Sequence, residues 1–425
     1  MTDSEPDPLV YPNAGTDSQR ADGVSRRRVL AGSTAAGAAA TAGCLGDDQE
    51  PPDGPTVFVF NTGDGTVSLI DPETNEVVGT HHLGLSSSFP SNQYTPQLTT
   101  TAGDPLWLNV DRGVRGLSAG SFSEIARLET GSGANWLEQT PDGRHLVVSA
   151  REPTHQQYRL DADPTSDSFG EVTGKIDRTP EGGRGDNEGP GPCDVTIHPD
   201  GQYAYVPDLF GDTLTVIDIP SFEIRTQIDV DPVSEAPAAP WMGTISWDGN
   251  RLLVEHNEGD TGTESIWDTT DPANPKEIVR LTADDGLGER PLTSEIGPDS
   301  EVGYVFTSGS NDVTVIDLAA GEVLDRLDVG GSAFVGTWDT TQKQLYVPVQ
   351  TTNEVAVIDH ASRELTTTID VGDSPYGATA AMVRPETDET AAMLAQLAKL
   401  GVFAASAETT YCIGECACGH QLESD

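Results

Sequence analysis

The residues with the densest potential for chemistry lie at the C-terminal end, where Cys412, Cys416, Cys418 and His420 fall within nine residues. Three thiols and an imidazole at that spacing suit a soft ion in tetrahedral coordination, Cu(I) or Zn(II). In an oxidising compartment the same thiols suit disulfides. Gly414 and Gly419 would let the backbone turn sharply enough for the four side chains to converge. A helix could not do this, because each residue advances ~100° and would set Cys416 and Cys418 about 200° apart. On the residues alone, a metal centre and a disulfide knot both stay open.

A second set of candidates stands out because cations are scarce. The chain carries 23 Lys and Arg against 69 Asp and Glu, a formal net charge of −46, and its lysines are only Lys175, Lys276, Lys343 and Lys399. Such a balance excludes nucleic acid as a partner, since phosphates would be repelled along the whole surface. The acids are spread rather than blocked, which reads as a solvated acidic surface suited to molar salt, where the screening length falls to about 3 Å. Against that background Arg112, Arg151, Arg184 and Arg290, with His82, Asp194 and His256, are the candidates for a ligand-binding face. Ion pairing with the abundant carboxylates is the competing role for the arginines. Cys193 follows Gly-Pro-Gly-Pro and precedes Asp194, and reads as a small buried thiol.

The elements that must position these residues are set by a repeat. Tyr205 to Asp218 is a step of thirteen residues, and the same step separates Tyr304 from Asp317, Tyr346 from Asp359 and Phe58 from Asp71. Each copy reads as a strand, a polar turn, a second alternating strand ending in Ile-Asp, and a third strand. From Phe58 to Tyr346 lie 288 residues, room for about six steps at roughly 40–50 residues per blade, hence seven units. The segments YVPDLFGDTLTVID, YVFTSGSNDVTVID and YVPVQTTNEVAVID resemble the YVTN-type repeat of β-propellers. The resemblance implies an all-β fold over residues 56–383, a seven-bladed β-propeller of four-stranded antiparallel blades.

Within that fold the first blade lacks an innermost strand, and Tyr376 to Val383 follows the last blade with nothing of its own to complete, so the chain ends should zip together. Gly84 to Pro96 and Arg178 to Pro192 read as long loops on one face beside the channel, where specificity is usually placed. His81 takes an apolar slot of the repeat and should lie between blades. Residues 384–425 form a helix, with Met393, Leu394, Leu397 and Leu400 as an apolar stripe expected to pack on the body, followed by the Cys/His-rich tail.

Residues 1–24 are polar and carry no fold. Residues 25–43, opening with Ser25-Arg26-Arg27-Arg28-Val29-Leu30 and continuing as an uncharged Ala- and Gly-rich run, resemble a twin-arginine export signal. Thr41-Ala42-Gly43-Cys44 resembles a lipobox, with Thr41 in place of the usual aliphatic residue, and implies a lipid on Cys44. Residues 44–55, acidic and Pro-rich, would be a tether. With Cys44 lipidated, four cysteines remain, enough for two bridges if Cys193 takes part.

The leading expectation is an exported binding or scaffold module at the outer face of the cytoplasmic membrane, held by membrane lipid through Cys44, with a protein or small-molecule ligand at the channel face. The first alternative is a redox or metal protein, because Cys412, Cys416 and His420 reproduce the spacing of dinuclear copper electron-transfer loops, although residues 421–424 supply no methionine. The second is a propeller hydrolase resembling the lactonases. If the N-terminal reading holds, replacing Arg26 and Arg27 by Lys will retain the protein in the cell, whereas Cys44→Ser will be exported without lipid. Fractionation and mass spectrometry separate the two, and Cys44→Ser protein that partitions with membranes as fully as wild type would refute the anchor.

Overall fold

The computed structural model describes residues 53–386, apart from 86, 111–112 and 132–135, together with 393–394, 396–397 and 400. Twenty-eight strands form seven four-stranded antiparallel sheets. Blade 1 joins Pro375–Val383 to Asp53–Asn61, Thr66–Asp71 and Glu76–His82. Blades 2 to 7 begin at the inner strands Ser87–Pro90, Trp136–Gln139, Thr196–Ile197, Pro240–Ile245, Pro291–Ile296 and Thr337–Trp338, and run outward in chain order. The chain closes the ring as the unpaired first blade requires: Thr56, Val57, Phe58, Val59 and Phe60 pair with Ala381, Ala380, Thr379, Ala378 and Gly377. Arg384 fastens the seam, with an ion pair to Asp71 at 2.9 Å and a hydrogen bond to the Pro55 carbonyl at 2.9 Å.

The repeat has a local cause at each of its two ends. Its aspartate accepts backbone N–H groups of the turn between the third and fourth strands: Glu73 to Asp71, Ser221 to Asp218, Ala319 to Asp317 and Ser362 to Asp359. That is the turn an Asx side chain favours. Four residues after each aspartate the backbone becomes left-handed, at Asn75, Phe222, Gly321 and Arg363. The tyrosine at the other end reaches into the next blade. Tyr205 donates to the Pro272 carbonyl at 3.0 Å, Tyr346 donates to Asn75 Oδ1 at 2.5 Å, and the Tyr304 hydroxyl meets His360 Nδ1 at 2.9 Å. Blade 1 has Phe58 at this place, and its ring meets Phe122 of blade 2 edge-on at 6.0 Å. His81 packs beside the same Phe122, with ring centres 5.0 Å apart.

The core is the set of seams between blades. The second and third strands of each blade have a neighbour on both faces and are almost wholly buried, whereas the outer strand Glu223–Asp229 alternates exposed and half-buried positions. One seam brings Tyr205, Leu214 and Val216 of blade 4 against Leu252, Val254 and Trp267 of blade 5. Each such aliphatic side chain contributes about 1.5–3 kcal/mol by leaving water. Beyond Val383 the outcome differs from expectation. Residues 393–394 and 396–397 are helical, but of the expected stripe Met393 and Leu400 are exposed while Leu394 and Leu397 are half-buried.

Because the three tyrosine hydroxyls bridge blades in otherwise apolar seams, Tyr205→Phe, Tyr304→Phe and Tyr346→Phe should each lower the unfolding free energy by about 1 kcal/mol. The sites are far apart, so the losses should add. Urea unfolding in molar KCl measures this, and three unchanged midpoints would refute the bridging role.

Candidate functional site

The inner strands place one residue each toward the axis in a fixed relation to the turn that follows. The turn contains a residue of positive φ (Gly143, Gly201, Gly249, Ser300 or Gln342), and the residue five positions earlier is Glu138, Thr196, Thr244, Glu295 or Thr337. Four of the five, Glu138, Thr196, Thr244 and Glu295, line a cavity on the axis instead of a seam with a neighbouring blade.

The channel is blocked from one side by a segment of blade 2. Between the first and second strands, blades 3 to 7 have five residues, whereas blade 2 has fourteen, 91–104, including the short helix Thr95–Leu98. The first four cross the axis and bond to every blade. Ser91 Oγ donates to Glu138 of blade 3 at 2.8 Å, Ser91 N–H donates to the Trp107 carbonyl of blade 2, and the Ser91 carbonyl accepts from Thr379 of blade 1 at 2.9 Å. Asn92 Nδ2 donates at 3.0 Å to Glu295 of blade 6 and to the Gly336 carbonyl at the start of blade 7. Gln93 Nε2 donates to the Ile245 carbonyl of blade 5 at 3.1 Å, and the Tyr94 hydroxyl donates to the Ile197 carbonyl of blade 4 at 2.7 Å. Gly84 to Pro96 is therefore not one surface loop. It contains the inner strand Ser87–Pro90, and its end turns into the channel to form this hub.

Above the hub is a largely enclosed cavity with about 20 Å³ of room, space for about one water. Glu138, Asp194 and Glu295 line it with Trp136, Thr196, Thr244, Thr293 and Ser294, and no Lys, Arg or His is among the lining residues. All three carboxyls are buried. Burial pushes Glu138 up to about 7, against the opposing pull of Ser91 and the N–H groups of Asn92, Gln93 and Gln139. Burial holds Asp194 well above the usual carboxylate range, although Gly243 N–H and Val195 N–H donate to it at 2.7 and 2.6 Å. Glu295 is likewise raised by burial, then by the charge of Glu138. Behind this wall Glu255 and Glu264 face each other across paired strands of blade 5. Burial pushes Glu255 up to about 7 and raises Glu264 well above its ordinary value, with Glu255 adding to the latter. Burial is the leading cause at all five carboxyls, and neighbouring like charge adds to it at Asp194, Glu264 and Glu295.

Ahead of the inner strand of blade 4 the structure brings Arg151 against Cys193, the chain neighbour of Asp194. Arg151 is buried, pairs with Glu152 at 2.5 Å, donates to Cys193 Sγ at 3.7 Å and lies over Phe210. His155 is buried beneath the 178–192 loop, with Gly191 N–H donating to its Nδ1 at 3.3 Å, and burial lowers its pKa so that the ring stays neutral. That loop is clamped to blade 4 through fully buried Arg178, which reaches Asp208 and Thr215 at 2.9 Å, and through Arg184, which pairs with Asp212 at 2.5 Å. His256 is enclosed in blade 5 between the Ala238 carbonyl and Ser265, and burial holds it well below its ordinary pKa. His82 is half-buried at the end of the outer strand Glu76–His82, and Arg290 is exposed on the rim. The candidates therefore do not form a single ring. Arg112, Cys44, Cys412, Cys416, Cys418 and His420 lie outside the described residues.

The metal-binding character read from the sequence is corrected by the described residues, among which no group of three or more His, Cys, Asp or Glu side chains could hold an ion. The channel carboxyls come from different blades, and two of them are engaged by Ser91 and Asn92. Among the described residues no helix is long and apolar enough to cross a membrane.

No family model matches the chain, and no curated protein does. Solved structures do. The chain is similar to the periplasmic gluconolactonase PpgL of Pseudomonas aeruginosa (TM-score 0.60, 16% identity, 78% of this chain and 99% of that one). It is also similar to hydrazine synthase of Kuenenia stuttgartiensis (0.58, 19%, 73% and 94%) and to a functionally unknown protein of Desulfotomaculum acetoxidans (0.57, 15%, 78% and 99%). These likenesses show the fold alone. Bearers of it as different as a gluconolactonase and a hydrazine synthase leave the site to be read from its own residues.

The buried acids generate a pH dependence with a definite sign. Their pKa values are raised in the folded state, so as the pH climbs from about 4.5 toward 7 the unfolded chain loses protons first, and stability falls as pH rises. Glu255→Gln, neutral at every pH, should flatten that decline, with a gain at pH 8 on the order of 1–3 kcal/mol and little change at pH 5. Thermal melts across pH at fixed molar salt test this, and parallel curves for variant and wild type would contradict it.

Proposed function

We propose that this chain is an exported, lipid-anchored propeller that binds a small polar ligand in the channel, entering from the mouth and stopping at the Ser91–Tyr94 hub. A β-propeller is consistent with a ligand-binding or scaffold role. The observation that carries the narrower reading is the blind cavity: its floor is the hub, and its walls are carboxyls, hydroxyls and a tryptophan. A concave site with a few convergent polar groups is a binding geometry. Export and anchoring are supported by Arg26-Arg27, the uncharged run after them and Cys44.

A hydrolase of the lactonase type finds less support. It needs an acid, an arginine and a histidine open to substrate, whereas Arg151 and His155 are 3% and 1% exposed and sit under the 178–192 loop. The test is a thermal-shift screen of small polar compounds on the mature protein in molar salt, repeated on Thr293→Phe, which fills the cavity. Stabilisation by one chemical class that disappears in the variant is the expected result. Stabilisation that persists in Thr293→Phe would place the ligand outside the channel and overturn the reading.

A further inference from the structure

The walls of the cavity also limit the kind of ligand it can take. Its ionisable groups are all acids, from three different blades: Glu138 of blade 3, Asp194 of blade 4 and Glu295 of blade 6. A phosphate or carboxylate would meet acids there and no cation. Of the amide donors at its floor, both N–H groups of Asn92 are used, by Glu295 and Gly336, and one of Gln93 by Ile245. Most of what remains is acceptor capacity, since each carboxylate has about four lone-pair sites. One wall group asks for a partner independently of the acids: the Thr293 hydroxyl, on a residue only 4% exposed, bonds to nothing. The complement is a group that only donates, carries positive charge and is about as large as water. A planar guanidinium exceeds that room.

We propose that the cavity above the hub takes a primary ammonium group, either the free ammonium ion or the terminus of a short alkylammonium. Its N–H donors would go to the Thr293 hydroxyl and to Glu295 of the same strand, with Trp136 as the apolar wall. Binding would be linked to protons, because Glu138 is faced by Tyr94 of the hub, Asp194 and Glu295, with no cation among the groups that shift it. A cation arriving among protonated acids releases protons, so affinity rises with pH.

This proposal rests on the reading of the channel as the binding site, and the test keeps the two apart. Wild-type protein in molar NaCl is titrated with ammonium, methylammonium, potassium and tetramethylammonium chlorides at matched ionic strength, by calorimetry and thermal shift. Ammonium or methylammonium should bind, and which of them binds tighter identifies the free ion or the alkylated form. Affinity should be greater at about pH 8 than at about pH 6. Glu295→Gln and the shape-conserving Thr293→Val should each weaken binding, the former by about tenfold, the weight of one charge-assisted hydrogen bond. Equal responses to all four salts, or ammonium binding untouched by both variants, would overturn the ammonium assignment. If another compound class binds wild type but not Thr293→Phe while ammonium does not bind, only the assignment falls. If neither binds, the channel reading falls with it.

Discussion

Closing seven sheets into a ring leaves an axial hole, and everything along it is constrained by the need to satisfy the polar groups that face inward. In this protein the constraint is met by four consecutive residues, Ser91 to Tyr94, which make at least one hydrogen bond to each blade. A buried polar group without a partner costs about 1–3 kcal/mol. A segment that answers Glu138, Glu295 and four backbone carbonyls at the axis therefore matters beyond its length. It also decides what the channel can be: a pocket with a floor, two of its acids, Glu138 and Glu295, held in place by the hub's donors.

The fold was legible because its causes are local and recur. The aspartate that caps the turn, the left-handed residue four places on and the tyrosine that reaches the next blade all sit at fixed offsets, so one copy of the repeat explains the others. Ring closure by Tyr376 to Val383 could be read for the complementary reason, that a strand was missing at one end and spare at the other. The hub could not be read in this way, because it occurs once and its partners lie up to 288 residues away. Its only trace in the sequence is the excess length of one hairpin.

Of the candidate site, the rim was over-read and the wall under-read. Arg184 looked available because cations are rare, and for the same reason a carboxylate, Asp212, was at hand to engage it. Glu138 and Glu295 were overlooked as two acids among many. Aligning the inner strands on their turns would have singled them out, since both stand five residues before the left-handed position and the equivalents in three other blades are threonines. Glu255 and Glu264 carry no such mark. In a strand where every position is buried, the alternation that separates one face from the other is lost.

The hub has a further consequence for how such a ring could change over generations. Propellers grow and shrink when a repeat is duplicated or lost, and a ring held only by blade-to-blade seams could accept one unit more or fewer. Here seven partners are distributed over four successive side chains and their backbone, each at bonding distance from its own blade. An eighth unit would widen the hole beyond their reach, and a sixfold ring would leave no space for them. The segment thus acts as a gauge of copy number, tolerating drift within blades while opposing any change in how many there are.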